Sequence, residues 1–342
     1  MRSLLMTAAL VNAALLAPPV LAQDAATLVE GVLAQHVLPG FQTFATRTEA
    51  LTAAAQSDCQ PQSAELRAAF HEGFDAWMAV SHLRFGPSEV DERAFALAFW
   101  PDTKGFTPKS LTKFITTEDP VIAEPEAFGE VSIAARGFFA MEYLLYDDTI
   151  ATLGDAQYHC ALVQAVAADI DRQAQAILAD WQGGYATSMQ TPSDAAEYAT
   201  DLAAVAQLFK ALDTGLQFNE EARLGRPLGS FEKPRPRRAE ARRSGRSLRN
   251  ITVSLTALEE LSQALAAQTP GVAERLEAAF AVAFEQAEVL AEDPVFAGVA
   301  EMQGRFKVEI LQQYIGNIRD IVTQELGPAL DVTAGFNALD GD

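Results

Sequence analysis

Residues 308–322 read VEILQQYIGNIRDIV, and the spacing of apolar residues in this stretch decides the fold class. They recur at intervals of three and four, the period that places side chains on one face of an α-helix. These positions are Val308, Leu311, Ile315, Ile318 and Val322. Residues 248–258 repeat the pattern, whereas the alternation typical of strands is scarce along the chain. The sequence therefore predicts an all-α protein.

The same periodicity, interrupted by Gly and Pro, predicts the main helices of the whole chain. They are expected near residues 25–55, 61–82, 128–147, 155–182, 192–222, 239–268, 270–292 and 298–327. Residues 85–129 carry many turn-forming residues and only one short predicted helix, at 107–117. Because a connection of this length is unusual in a compact domain, we expect it to help build a site.

An internal echo suggests two related helical bundles. The pattern LRAAF at residues 66–70 returns as LEAAF at residues 276–280, although chance similarity explains a match of common core residues equally well. Turn-forming residues at 183–192 offer a boundary between the bundles. We predict an N-terminal helical bundle at residues 23–185 and a C-terminal helical bundle at residues 186–342.

The first twenty-two residues are predicted to be a signal peptide. Arg2 precedes an uncharged apolar run at residues 4–16, and Ala22 ends a small-residue cleavage site. The apolar run is shorter than the roughly 20 residues needed to span a bilayer, and Gln23 is not the cysteine that would carry a lipid. The interpretation is a periplasmic protein without membrane insertion.

Composition narrows the class of protein further. Hydrophobic residues make up 49% of the 342 residues, enough for a substantial core, and the net charge of −21 argues against a nucleic-acid partner. The two cysteines, Cys59 and Cys160, are predicted to pair in an oxidising compartment, with two buried free thiols as the alternative.

Glu142 falls within an apolar helical stripe that includes Phe138 and Leu145. A buried carboxylate must find a cation or hydrogen-bond donors, or keep its proton. Two interpretations stay open at this point: an arginine across the bundle binds Glu142, or Glu142 belongs to a ligand or metal site.

Among the four histidines, only His71 shows metal-ligand spacing, four residues before Asp75 on a predicted helix. This pair is a candidate metal site, with an ordinary surface His–Asp pair as the alternative. His82 lies about 10 Å along the helix axis from Asp75, which is too far for both residues to bind the same metal ion. In the long connection, Trp100 precedes Asp102 by two residues. Asp102 could therefore face a groove or equally cap a turn.

Residues 233–249 hold eight cations and a single acid, Glu240. In a chain this acidic, the segment predicts an electrostatic clamp that binds carboxylates of the other bundle, with Glu142 as a plausible target. The functional alternative is capture of an acidic ligand, such as a citrate-like chelator or a uronate polymer, because arginine matches carboxylates bidentately.

Several segments together resemble the imelysin family of bacterial envelope proteins. That family carries a G-x-H-x-x-E motif on a helix, and residues 137–142 here read GFFAME, so Gly137 and Glu142 match while Phe139 replaces the histidine. Further similar stretches are residues 84–87 (RFGP), 99–102 (FWPD), 243–250 (RSGRSLRN) and 335–340 (GFNALD). Phe139 cannot coordinate a metal or transfer a proton, which favours a binding protein over an enzyme.

The resemblance implies two four-helix bundles packed around an interdomain groove near the motif. The expected groove residues are Gly137, Phe139, Glu142, Trp100, Asp102, Arg243 and Arg246. The preferred function is binding of a metal or metal chelate for iron acquisition, with iron or another divalent cation as cargo and envelope iron-transport components as partners. The alternatives are a metallopeptidase, which would need Glu142 plus ligands from elsewhere, and a non-catalytic binder of anionic polymer.

Overall fold

The computed structural model of the chain describes residues 22–193 and 195–332. The predicted signal peptide, up to residue 21, and the stretch at 335–340 lie outside the described residues. No helix in the described part is both long enough and apolar enough to cross a membrane.

The first half of the chain folds into helices joined by short 3₁₀ turns. These are α1 Ala22–Val32, α2 Leu38–Ser57, α3 Ala64–Val80, α4 Arg93–Leu97, α5 Phe106–Thr117, α6 Pro125–Gly129, α7 Gly137–Tyr146 and α8 Ala156–Asp180. α2 packs against α3 and α8, and α7 packs against both α3 and α8, so these four form a bundle. Its core is aromatic: the rings of Phe74 and Phe138 stack with centroids 4.8 Å apart.

The second half repeats this architecture. Its helices are α9 Ala186–Gln190, α10 Asp201–Gln217, α11 Gly225–Leu228, α12 Ser247–Leu265, α13 Pro270–Val289, α14 Met302–Ile321 and α15 Gly327–Ala329. α10, α12, α13 and α14 form the second bundle. The structure confirms the all-helical prediction, since the residues described contain only an isolated β-bridge, between Ser230 and Lys233, and no strand.

Helix packing joins the two bundles. α12 packs against α3, and α1 crosses from the first bundle to pack on α10 and α12. A π turn, Leu33–Val37, links α1 to α2 without ending the helix. Although α1 precedes the first bundle in the chain, it packs on helices of the second. The division of the chain at residues 185/186 therefore remains a proposal about domain organisation.

Local sequence explains where helices begin. The Asp155 carboxylate caps α8 by accepting from the backbone N–H groups of Gln157 and Tyr158 at 2.9 and 3.0 Å. Three helices begin eight or nine residues later than the periodicity predicted: α7 at residue 137, α10 at 201 and α12 at 247. The first difference has a clear cause, because Gly137 has φ +73°, a conformation that an α-helix cannot continue through.

A disulfide fastens the first bundle. Cys59, just after α2, is bonded to Cys160 in the first turn of α8, with Cα atoms 5.1 Å apart. The predicted pairing is confirmed.

Candidate functional site between the bundles

The motif helix α7 begins where two backbones meet. A Cβ on Gly137 would lie 2.2 Å from the carbonyl oxygen of Ala96 and 2.4 Å from that of Leu97, so only glycine fits. Two residues on, the Phe139 ring is nearly parallel to Trp100, with centroids 6.5 Å apart, and meets Phe74 edge-on at 5.5 Å. At the position of the motif histidine, Phe139 therefore makes an aromatic contact with Trp100 of the long connection at residues 85–129.

Glu142 is buried and bound by a serine. One carboxylate oxygen accepts from the Ser244 backbone N–H at 2.9 Å and from the Ser244 hydroxyl at 2.8 Å. Burial raises the pKa of Glu142, while the Ser244 donors and the nearby Arg243 act to lower it. The partner thus comes from the predicted basic segment, but as a hydroxyl and an amide rather than a guanidinium.

Arg243 binds the neighbouring turn of α7. Its guanidinium donates to the Asp147 carboxylate at 2.7 Å and to the Tyr143 hydroxyl at 2.8 Å, and it lies 3.7 Å from the centroid of the Tyr143 ring. Since α7 belongs to the first bundle and Arg243 precedes α12 of the second, this contact clamps the two bundles together.

Arg246 makes a second clamp at a different place. Its side chain is only 2% exposed, and it donates to the carboxylate of Asp75 and to Nδ1 of His71, the latter at 3.0 Å. Because arginine is always a donor, His71 Nδ1 must accept, and His71 Nε2–H then donates to the Tyr146 hydroxyl at 2.9 Å. Burial and the charge of Arg246 lower the pKa of His71 to about 4.

The predicted metal pair is therefore engaged by arginine. Asp75 also accepts from Arg249 at 2.9 Å, so its carboxylate has two guanidinium partners. Asp102 has a structural partner as well: it accepts from the backbone N–H groups of Phe106 and Thr107, at 2.9 and 2.8 Å, and caps α5.

A resident metal ion at the motif does not fit the donors present. Within residues 22–193 and 195–332, no three His, Cys, Asp or Glu side chains converge closely enough to hold one. The Glu142 oxygen that faces the basic segment already accepts two hydrogen bonds, and Phe139 supplies no donor atom. We derive no chemistry from a metal there.

A cavity of about 480 Å³ lies between the bundles; Trp100 lines it, whereas residues 137–142 of the motif do not. Aromatic rings form much of its wall: Trp77, Phe85, Phe95, Trp100 and Phe218. Its polar wall includes His82, Lys210 and Arg223, and the Arg223 guanidinium donates to Glu240 at 2.8 Å. Trp100 connects the cavity to Phe139 and hence to the motif helix.

Four arginines in and just before the basic segment form no salt bridge with a carboxylate among the described residues, and one of them, Arg226, contacts Trp100 of the cavity wall. We call Arg226, Arg237, Arg238 and Arg242 the anion surface. The Arg226 guanidinium lies 5.7 Å from the Trp100 ring centroid, and its buried Nε has no hydrogen-bond partner. Burial, helped by Arg238, lowers the pKa of Arg226; burial, helped by Arg243 and Arg237, lowers that of Arg242. These cations are close enough to repel one another, which an anion would relieve.

Sequence reasoning missed several of these residues. His36 and His82 are 46 positions apart, yet their Nε2 atoms are 2.9 Å apart. No spacing of residues in the sequence indicates the π turn that contains His36. Arg223 and Arg226 lie outside the basic segment at 233–249 and gave no signal by charge density.

The fold and site define a class of all-helical proteins with two four-helix bundles, a motif helix that starts at a left-handed glycine, and a cavity between the bundles. The family model for imelysin matches residues 37–321, and the chain belongs to the imelysin family. A protein from Synechococcus elongatus named iron-regulated protein A is 26% identical over 322 residues, which cover 88% of this chain and 85% of that protein. The crystal structure of an imelysin-like protein from Psychrobacter arcticum superposes with a TM-score of 0.76 at 22% identity, covering 93% of this chain and 98% of the other.

Proposed function

We propose that the protein is an exported binding protein that takes an anionic metal chelate, in the first place an iron chelate, at the cavity between its bundles. The observation that carries this proposal is the anion surface. In a chain with a net charge of −21, its four arginines form no salt bridge with an acid among the described residues, and one of them, Arg226, lies over Trp100 at the wall of the aromatic cavity.

The chemistry of the cavity favours a ligand with carboxylates and an apolar or planar part. Guanidinium groups bind carboxylates in charge-assisted, often bidentate pairs. Lys210, exposed on the cavity wall, adds a further cation that pairs with no acid in the described chain. Trp100 gives the planar part a surface on which to stack. The surrounding negative charge disfavours anions elsewhere on the protein.

The name of the Synechococcus relative supports a connection with iron. A chelate suits these residues better than a bare cation, because the chelator's own oxygens satisfy the metal while its remaining negative charge meets the arginines. The alternative of a metallopeptidase is supported less well, since Glu142 is bound by Ser244 and the motif histidine is replaced by Phe139.

Calorimetric titration with ferric citrate, citrate alone and a uronate oligomer tests the proposal. We expect ferric citrate to bind, and the double variant Arg226→Gln/Arg242→Gln to weaken binding by at least about tenfold, because one charged hydrogen bond contributes about 1.5–3 kcal/mol. The matched control is Lys113→Gln/Lys307→Gln, which removes the same charge from exposed positions and should bind as the wild type does.

Absence of ferric citrate binding by the wild type would overturn the proposal. Tighter, arginine-dependent binding of the uronate oligomer would favour an anionic-polymer binder instead. Protein hydrolysis that disappears in Glu142→Gln would favour the peptidase.

A further inference from the structure

His36 and His82 form a buried pair at the cavity. His36 lies in the π turn between α1 and α2, and His82 follows α3 and contributes to the cavity wall. The two residues are 7% and 4% exposed, and their Nε2 atoms are 2.9 Å apart. On its other side, His36 Nδ1 lies 3.6 Å from a carboxylate oxygen of Glu260.

The neighbours fix the protons of this pair when both rings are neutral. A carboxylate only accepts, so His36 carries its proton on Nδ1, toward Glu260, and His36 Nε2 has a lone pair. The short contact then requires His82 to carry its proton on Nε2 and donate it to His36. By elimination, His82 Nδ1 holds a bare lone pair, and that atom is buried without a hydrogen-bond partner among the described residues.

An unpaired buried acceptor is costly, and at a cavity wall a bound ligand is one partner that would satisfy it. The order Glu260, His36, His82 resembles the outer-shell arrangement that orients metal-binding imidazoles, in which a hydrogen bond to one ring nitrogen fixes the lone pair on the other. The backbone of α10 holds His82 closely, because a Cβ on Gly215 would lie 2.9 Å from His82 Cβ.

We propose that His82 Nδ1 is the atom through which the cavity coordinates the metal of a bound chelate, with His36 and Glu260 as positioning residues. This inference rests on the proposed function and specifies it: the ligand is an anionic chelate with at least one open coordination position. Arg223, which also lines the cavity, donates to Glu240 at 2.8 Å, and this pairing reduces its repulsion of the metal.

The probes are two Cu²⁺ chelates, the nitrilotriacetate complex, which leaves positions open, and the saturated ethylenediaminetetraacetate complex. We expect the wild type to bind the open chelate at least tenfold more tightly, and electron paramagnetic resonance to show coupling to one imidazole nitrogen. His82→Gln should lose both the preference and the coupling. His36→Gln should keep the coupling but bind more weakly, since loss of an outer-shell partner costs about 10- to 100-fold.

His159→Gln is the matched control, because His159 is also a buried histidine with an unpartnered nitrogen, but on α8 away from the cavity lining. Unchanged binding and coupling in His82→Gln would overturn the inference, as would coupling to two imidazole nitrogens, which would mean that His36 binds the metal directly. Equal, arginine-dependent binding of both chelates would refute the role of His82 while sustaining the proposed function. Failure of the wild type to bind either would overturn both.

Discussion

Replacing Arg246 by methionine should destabilise the protein strongly. The substitution keeps much of the apolar stem but removes the guanidinium that binds Asp75 and His71 from a side chain only 2% exposed. Breaking a buried ion pair by removing one partner costs about 3–5 kcal/mol. Because Arg249 still neutralises Asp75 at the exposed edge, we expect the loss to be about 2–4 kcal/mol.

Urea-induced unfolding followed by circular dichroism measures this change. The matched control is Arg47→Met, because Arg47 pairs with Glu72 where the side chains are 50% and 55% exposed. The control should change the free energy of unfolding by less than about 0.5 kcal/mol. If Arg246→Met lost no more stability than Arg47→Met, the account of Arg246 as a buried clamp would be refuted.

Arg246→Met should also raise the pKa of His71. In the wild type, the pKa of His71 is about 4, whereas the unfolded chain takes up this proton near pH 6.5. The contribution of His71 to stability is therefore complete above pH 6.5 and is lost as the pH falls toward 4. Removing Arg246 should raise the pKa of His71 toward 6.5 and narrow that window, which nuclear magnetic resonance of the imidazole protons measures. An unchanged pKa would contradict the electrostatic role of Arg246.

Two further predictions concern the backbone and the disulfide. Gly137→Ala should lower the free energy of unfolding, measured by thermal unfolding, by more than about 2 kcal/mol, because alanine is strained at this positive φ and its Cβ would meet the Ala96 carbonyl oxygen. The control Gly31→Ala, where a Cβ has nothing within 4 Å, should instead stabilise α1 by about 0.5–1 kcal/mol. Similar effects of the two substitutions would contradict the close contact at Gly137. The double variant Cys59→Ser/Cys160→Ser should lower the free energy of unfolding by on the order of 4 kcal/mol, since the bond closes a loop with a sequence separation of 101, and reduced wild type should match it.

The sequence predicted those features that depend on local periodicity, such as the helices, or that allow few alternatives, such as the pairing of two cysteines. Helical spacing identified the main helices, the short helix α5 was expected at residues 107–117 and spans Phe106–Thr117, and two cysteines allowed one pairing. The apolar stripe around Glu142 correctly predicted its burial. The start of α7 was placed too early, because periodicity does not reveal that Gly137 must adopt φ +73° beside another backbone.

The candidate site was less predictable because it depends on partners that are distant in sequence. The spacing of His71 and Asp75 satisfied a metal-site rule, but the structure brings Arg246, more than 170 residues later, to both. Conversely, His36 and His82 had no ligand spacing, and their rings meet only because α2, which follows the π turn of His36, packs against α3.

The arginines of the basic segment fall into two groups, those that form salt bridges with carboxylates of the first bundle and those that do not. Arg243, Arg246 and Arg249 face carboxylates of the first bundle and hold the bundles together. Residues 237, 238 and 242 form no salt bridge in the described chain, and the acid that lies near Arg242, Glu142, is bound by Ser244. A fold that needed only a clamp would gain nothing from placing these further cations close to one another, since their mutual repulsion costs stability. The two hypotheses that the sequence left open, an internal clamp and capture of an acidic ligand, are therefore not exclusive: the first group accounts for the clamp, and the second is why we propose the capture.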